Sequence, residues 1–66
     1  MWIVNHFEGE GVIAHTRTKE AALSIVRNIF ALQVELGEID QEDMDFYLDH
    51  IDKYEDGGGY AVYPMR

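Results

Sequence analysis

The sequence predicts an α+β fold of order ββααβ, a three-stranded antiparallel sheet with an αα-hairpin packed on one face. Three observations predict it. Runs rich in β-branched and aromatic residues stand at both ends of the chain, two patterns of helical period fill the middle, and Gly or Asp separates the elements.

The first strand is expected from about Trp2 to Phe7 and the second from about Val12 to Thr16. Between them Glu8-Gly9-Glu10-Gly11 gives a four-residue hairpin connection with two glycines. Alternation puts Trp2, Val4 and His6 on one face and Ile3, Asn5 and Phe7 on the other, and neither set is cleanly polar.

A helix is expected from about Lys19 to Leu36, with Thr18 as N-cap, Glu20 in the first turn and Gly37 where a left-handed C-terminal cap belongs. Ala22, Ile25, Val26, Ile29 and Leu36 form one apolar stripe, which Leu23, Phe30 and Val34 widen. An apolar arc of more than half the circumference marks the central element of the fold, touching both the sheet and the other helix. A homodimer face is the other explanation for that width.

Asp40 is the expected cap of the second helix, with Asp43 three positions on and Ile39 and Met44 at the positions of a hydrophobic staple. Met44, Tyr47, Leu48 and Ile51 recur at i, i+3, i+4 and i+7, the period of one buried stripe. The helix is expected to run on to Asp56, where Gly57-Gly58-Gly59 stops it and acts as a flexible reversal. Only about three residues separate the helices, so they form an antiparallel hairpin. A last strand from Tyr60 to Met65 carries Pro64, which argues for an edge position.

A chain of 66 residues supports one domain, residues 1–66, that buries only roughly 60% of its unfolded surface. Such a scaffold is poorly suited to hold a catalytic pocket, and the expectation is a non-enzymatic protein. The absence of Cys removes disulfides, thiolate zinc sites and thiol nucleophiles together. No signal peptide or membrane-spanning run is visible, so a soluble protein of the bacterial cytoplasm is expected.

The charge is unevenly placed. Of 13 acids and 5 bases, three of each cancel between Met1 and Val34, whereas the segment from Glu35 to Asp56 holds ten acids and one base, Lys53. Such a field repels nucleic acid and anionic membranes and attracts basic surfaces. Direct nucleic-acid binding is therefore not expected. Trp2, Tyr60 and Tyr63 read as core and sheet packing, because a base-stacking platform needs cations to hold the backbone.

Within the acidic segment, Glu42, Asp45, Asp49, Asp52 and Asp56 follow the spacing 3, 4, 3, 4. On a helix they fall within an arc of roughly 80° opposite the apolar stripe. Their offset of about 4.5 to 6 Å along the axis is of the order of the spacing of phosphates along a nucleic-acid strand. Like charges at these spacings cost a helix a few tenths of a kcal/mol per pair. The functional reading is an anionic ridge that docks on Lys and Arg of a nucleic-acid-binding protein; the plainer one is a solvated face. The scarcity of interspersed Lys favours the first. Phe46 and His50 project beside the ridge, and Phe46 is the candidate apolar anchor for a partner, the alternative being that it covers the end of the sheet.

Other constellations carry less. His6, His15 and His50 lack a metal-ligand spacing, Asp40 to Ile51 lacks the sixth-position Gly of a calcium loop, and the glycine triplet lacks the Lys and following helix of a phosphate loop. No metal and no cofactor are expected.

With its short N-terminal strand pair (Trp2-Ile3-Val4, Gly11-Val12-Ile13-Ala14), a helix opened by Thr18-Lys19-Glu20-Ala21-Ala22 and a Glu- and Asp-studded second helix from Asp40 to Asp56, the chain resembles the small acidic inhibitors of bacteriophages and mobile elements, the anti-CRISPR proteins and DNA mimics. The resemblance is one of size, charge and layout over the whole chain and assigns no residue roles. It implies a non-enzymatic inhibitor that blocks a host nuclease or its DNA-binding site, a type II CRISPR effector being the first target to name. The alternative is a homodimeric, antitoxin-like adaptor that uses the wide apolar face of the first helix.

Overall fold

The computed structural model describes residues 1–65. Two strands, β1 (Trp2–His6) and β2 (Gly11–Thr16), are followed by helices α1 (Lys19–Glu35) and α2 (Gln41–Asp52) and by strand β3 (Tyr60–Pro64). The sheet is antiparallel throughout with order β2-β1-β3, so the expected ββααβ fold is present and both β2 and β3 are edges. Pro64 lies opposite Trp2 on the outer strand, where its missing N–H leaves the ladder intact.

The first connection has the expected four residues but is shifted by one, spanning residues 7–10, and a β-bulge follows it. Val4 pairs with Ala14 but Asn5 pairs with Val12, which leaves Ile13 as the extra residue. The bulge turns both Ile13 and Ala14 toward the helices, where they pack on the core.

Each helix is capped by its own side chains. The Thr18 hydroxyl accepts from the Ala21 N–H at 3.1 Å, and the Asp40 carboxylate accepts from the Asp43 N–H at 2.8 Å while Asp43 accepts in return from the Asp40 N–H. At the end of α1, Gly37 takes φ 76° and the N–H groups of Gly37 and Glu38 reach back to the carbonyls of Val34 and Gln33. Five residues, 36–40, then carry the chain into α2.

The core lies between the helices and one face of the sheet. Val4 and Val62 from the strands meet Ala22, Val26 and Phe30 of α1 and Ile51 of α2, all fully buried, with Met44 and Tyr60 at the margin. The Phe30 ring tilts against Tyr47 and meets Tyr60 edge-on, both at 5.6 Å between centroids. Helix α1 packs on all three strands and on α2, whereas α2 reaches only β3 and α1. That central position accounts for the wide apolar arc of α1, since Leu23, Ile25, Ile29 and Val34 all pack against the core. Leu36, expected in the same stripe, does not join them: it is the C-cap, beyond the last helical turn that faces the sheet, and is exposed.

Two expectations about the second half are corrected. Helix α2 ends at Asp52, not Asp56, because Lys53 caps it and Tyr54 adopts φ 64°. Tyr54 takes the left-handed position usually given to Gly, and the N–H groups of Tyr54 and Glu55 bond the carbonyls of Ile51 and His50. A left-handed Tyr costs about 1–2 kcal/mol. Its ring offsets that cost by stacking on Trp2, 6.1 Å between centroids, beneath the Lys19 ammonium at 4.9 Å.

The second correction concerns Gly57-Gly58-Gly59, which is a packed turn and not a flexible reversal. Gly57 and Tyr60 exchange both backbone hydrogen bonds, at 2.8 and 3.0 Å, around Gly58 and Gly59 at φ 58° and 90°. Both central residues thus have the positive φ of a type I′ turn. Gly57 is also sterically required, since a Cβ there would lie 2.3 Å from the Tyr47 carbonyl oxygen.

Candidate functional site

Helix α2 has a buried side and a solvent side. Met44, Tyr47, Leu48 and Ile51 face the core and are buried or half-buried, as their period dictates. Glu42, Asp45, Asp49 and Asp52 are exposed on the opposite side. Asp56 does not join them: it lies four residues beyond the end of the helix, after the reversal of direction at Tyr54. The ridge therefore has four carboxylates on the helix, not five.

The four differ in their surroundings. Asp52 accepts from Lys19 of α1 at 3.1 Å, and Asp49 accepts from Lys53 at 3.0 Å. The carboxylates hold both ammonium groups above the usual lysine pKa, chiefly through these hydrogen bonds. Asp45 accepts from the neutral Gln41 amide at 3.0 Å, and neither Asp45 nor Glu42 forms an ion pair among the described residues. The negative potential is thus concentrated at the N-terminal half of α2, where Glu38, Asp40 and Asp43 add to it. The helix dipole tolerates acids in that first turn. The sequence spacing alone treats the five carboxylates as equal, and only the fold reveals that Lys19, 33 residues away in the chain, partly neutralises one end of the row.

Phe46 stands beside this face at 61% exposure, so it does not cover the end of the sheet. The His50 ring packs at 4.5 Å from it, one helical turn on, and His50 Nδ1 lies 2.9 Å from Glu55 Oε1. Tyr47 touches its other side edge-on at 6.2 Å. Phe46 is therefore a supported apolar knob within an acidic field. Glu55 is the residue that spacing missed: it acts through the turn after the helix, which returns it to His50.

The remaining candidates separate. His6 stacks on Tyr60 at 4.4 Å on the helix side of the sheet, whereas His15 pairs with Ile3 and is exposed on the other side. Among the described residues no three His or acidic side chains are grouped to hold a metal ion. Trp2 and Tyr60 lie on the helix side and Tyr63 on the opposite face, so they form no common platform. Burial raises the Tyr60 phenol pKa, with Glu10 and Glu8 adding to the effect. No described helix is long and apolar enough to cross a membrane. Comparison with family models, with curated proteins and with solved structures returns no match to this chain.

Proposed function

We propose that this protein is a non-enzymatic acidic inhibitor that binds the cationic, nucleic-acid-binding surface of another protein and blocks access of DNA or RNA to it. The observation that carries this reading is the solvent side of α2, where Glu42, Asp45, Asp49 and Asp52 flank an aromatic ring that is exposed yet held in place by His50. Carboxylates steer a basic partner and hold it in register, and a desolvated aromatic at their edge supplies affinity. Glu42, Asp45 and Phe46 are the principal contacts, with Asp49 and Asp52 able to exchange Lys53 and Lys19 for the partner's cations. Bacterial nucleases, a type II CRISPR effector first among them, are the partners to test.

The test is capture from bacterial lysate by the tagged protein, with and without excess duplex DNA, beside an Asp45→Lys, Asp49→Lys, Asp52→Lys variant. A captured nuclease or DNA-binding protein that DNA displaces, that high salt releases and that the variant loses is the expected result. Equal capture by a folded variant would falsify the proposal.

A further inference from the structure

Tyr54 is an unusual residue for its position. The left-handed conformation is unstrained for Gly, which the chain uses at Gly37, Gly58 and Gly59, yet at φ 64° after α2 stands a Tyr that is more than half exposed. Strain of this kind persists where surrounding contacts impose it, and it is concentrated at functional sites. The contacts come from two other elements. The Tyr54 ring lies within 13° of parallel to Trp2 of β1, and Lys19 of α1, above it, also donates to the Asp52 carbonyl and carboxylate at 3.0 and 3.1 Å. The end of α2 is thereby tied to the sheet and to α1 at one point.

What the strained residue aims is Glu55. With Tyr54 left-handed the chain reverses, so that the Glu55 N–H bonds the His50 carbonyl at 3.0 Å and Glu55 Oε1 lies 2.9 Å from His50 Nδ1. An α-helical Tyr54 would carry Glu55 onward along the helix axis instead. The His50 ring, held at one nitrogen, packs at 4.5 Å from Phe46 with the two planes inclined by 58°.

We infer that Tyr54 is a positioning residue for the contact face of α2: anchored by Trp2 and Lys19, it sets Glu55 on His50 and so fixes the ring of Phe46. The inference rests on the proposed function in one respect, that a partner receives Phe46. An exposed aromatic already held in one rotamer binds without the ordering cost that a free one incurs, a difference of about two- to tenfold in affinity. Glycine separates this role from turn formation, because it adopts the same φ without strain. Tyr54→Gly therefore keeps the reversal and removes the anchor.

The experiment compares the full-length wild type with Tyr54→Gly, Tyr54→Phe, Glu55→Ala and Phe46→Ala, with circular dichroism as the check on folding. Nuclear Overhauser contacts between the Phe46 and His50 rings are the main readout. Fluorescence of Trp2, the one Trp of the chain, monitors the Tyr54 stack, and a nona-arginine peptide is the cationic probe. Tyr54→Gly is expected to fold, to alter the Trp2 emission, to lose the ring-to-ring contacts and to bind the peptide about two- to tenfold more weakly. Tyr54→Phe restores all of these, since the stack and the Lys19 contact need only the ring. Glu55→Ala loses the Phe46–His50 contacts while the Trp2 emission stays as in the wild type. Tyr54→Asn replaces Tyr54→Gly if that variant does not fold, because Asn also tolerates the left-handed position. Ring contacts that survive in folded Tyr54→Gly, whatever its stability, overturn the inference, as does a Glu55→Ala protein that keeps them. Peptide binding by the wild type that Phe46→Ala leaves untouched overturns instead the reading of Phe46 as the anchor, and the ring contacts still judge Tyr54.

Discussion

The two sides of α2 are built from the same twelve residues and answer to different physics. On the buried side, Ile51 is fully enclosed, Tyr47 leans on Phe30, and the Tyr47 carbonyl sets how closely the glycine turn can approach. On the solvent side, Asp45 and Asp49 repel each other across one turn, and among the described residues their direct supports are Gln41 and Lys53. The first side contributes stability that depends on shape. The second gives up a little stability to maintain a field. The difference teaches that mutation should separate the two almost completely, with folding lost from one side and recognition from the other.

Changes behind the buried side are expected to have the largest effect. Ile51→Ala empties a fully buried site and should cost about 2–5 kcal/mol in urea denaturation, and Gly57→Ala, which forces a methyl group against the Tyr47 carbonyl with no flexible end to move aside, about 1–3 kcal/mol. A Gly57→Ala protein as stable as wild type would show that the turn is looser than described. Next comes the cap shared by both sides: Asp40→Ala removes the acceptor of the Asp43 N–H and should lower stability by about 1 kcal/mol, and Asp40→Ser should restore most of it.

Asp45→Asn keeps the Gln41 hydrogen bond geometry while removing one charge. Its thermal unfolding should change by no more than a few tenths of a kcal/mol, in the stabilising direction, because a like-charge pair with Asp49 is relieved. Affinity for a basic partner should fall at the same time. A variant that loses stability and affinity in proportion would abolish the distinction between the two sides.

The smallest expected effect is at high pH. The pKa of Tyr60 is raised by burial and those of Lys19 and Lys53 by Asp52 and Asp49, so in each case the folded protein keeps its proton longer than the unfolded chain does. Stability is then fully present below the unfolded values of about 10 and is lost as pH rises through the raised ones. A pH titration of the melting temperature should show the decline beginning near pH 10, and Tyr60→Phe should make it shallower. A decline of unchanged steepness in that variant would assign it to the lysines.

Much of this is legible in single residues. Thr18, Gly37 and Asp40 mark helix ends by local hydrogen bonding, and the structure places all three in those roles. Pro64 marks an edge strand because it lacks a donor. The end of α2 was not legible in the same way, since Tyr54 is a poor left-handed residue on its own and is held there by Trp2 from β1 and Lys19 from α1. Asp56 was misplaced for that reason alone. Phe46 could be put beside the acidic row by counting, but its exposure required knowing that α2 reaches β3 and no further.

By itself the sequence determined the order of elements, the helix caps, the buried stripe of each helix and the acidic side of α2, all of which follow from hydrogen bonding or periodicity within one segment. Only the tertiary structure decided where α2 stops, which carboxylates are neutralised by Lys19 and Lys53, why the three glycines are tightly packed, and which face of the sheet the helices leave bare. Those features depend on side chains brought together from distant parts of the chain, and no local pattern contains the partner.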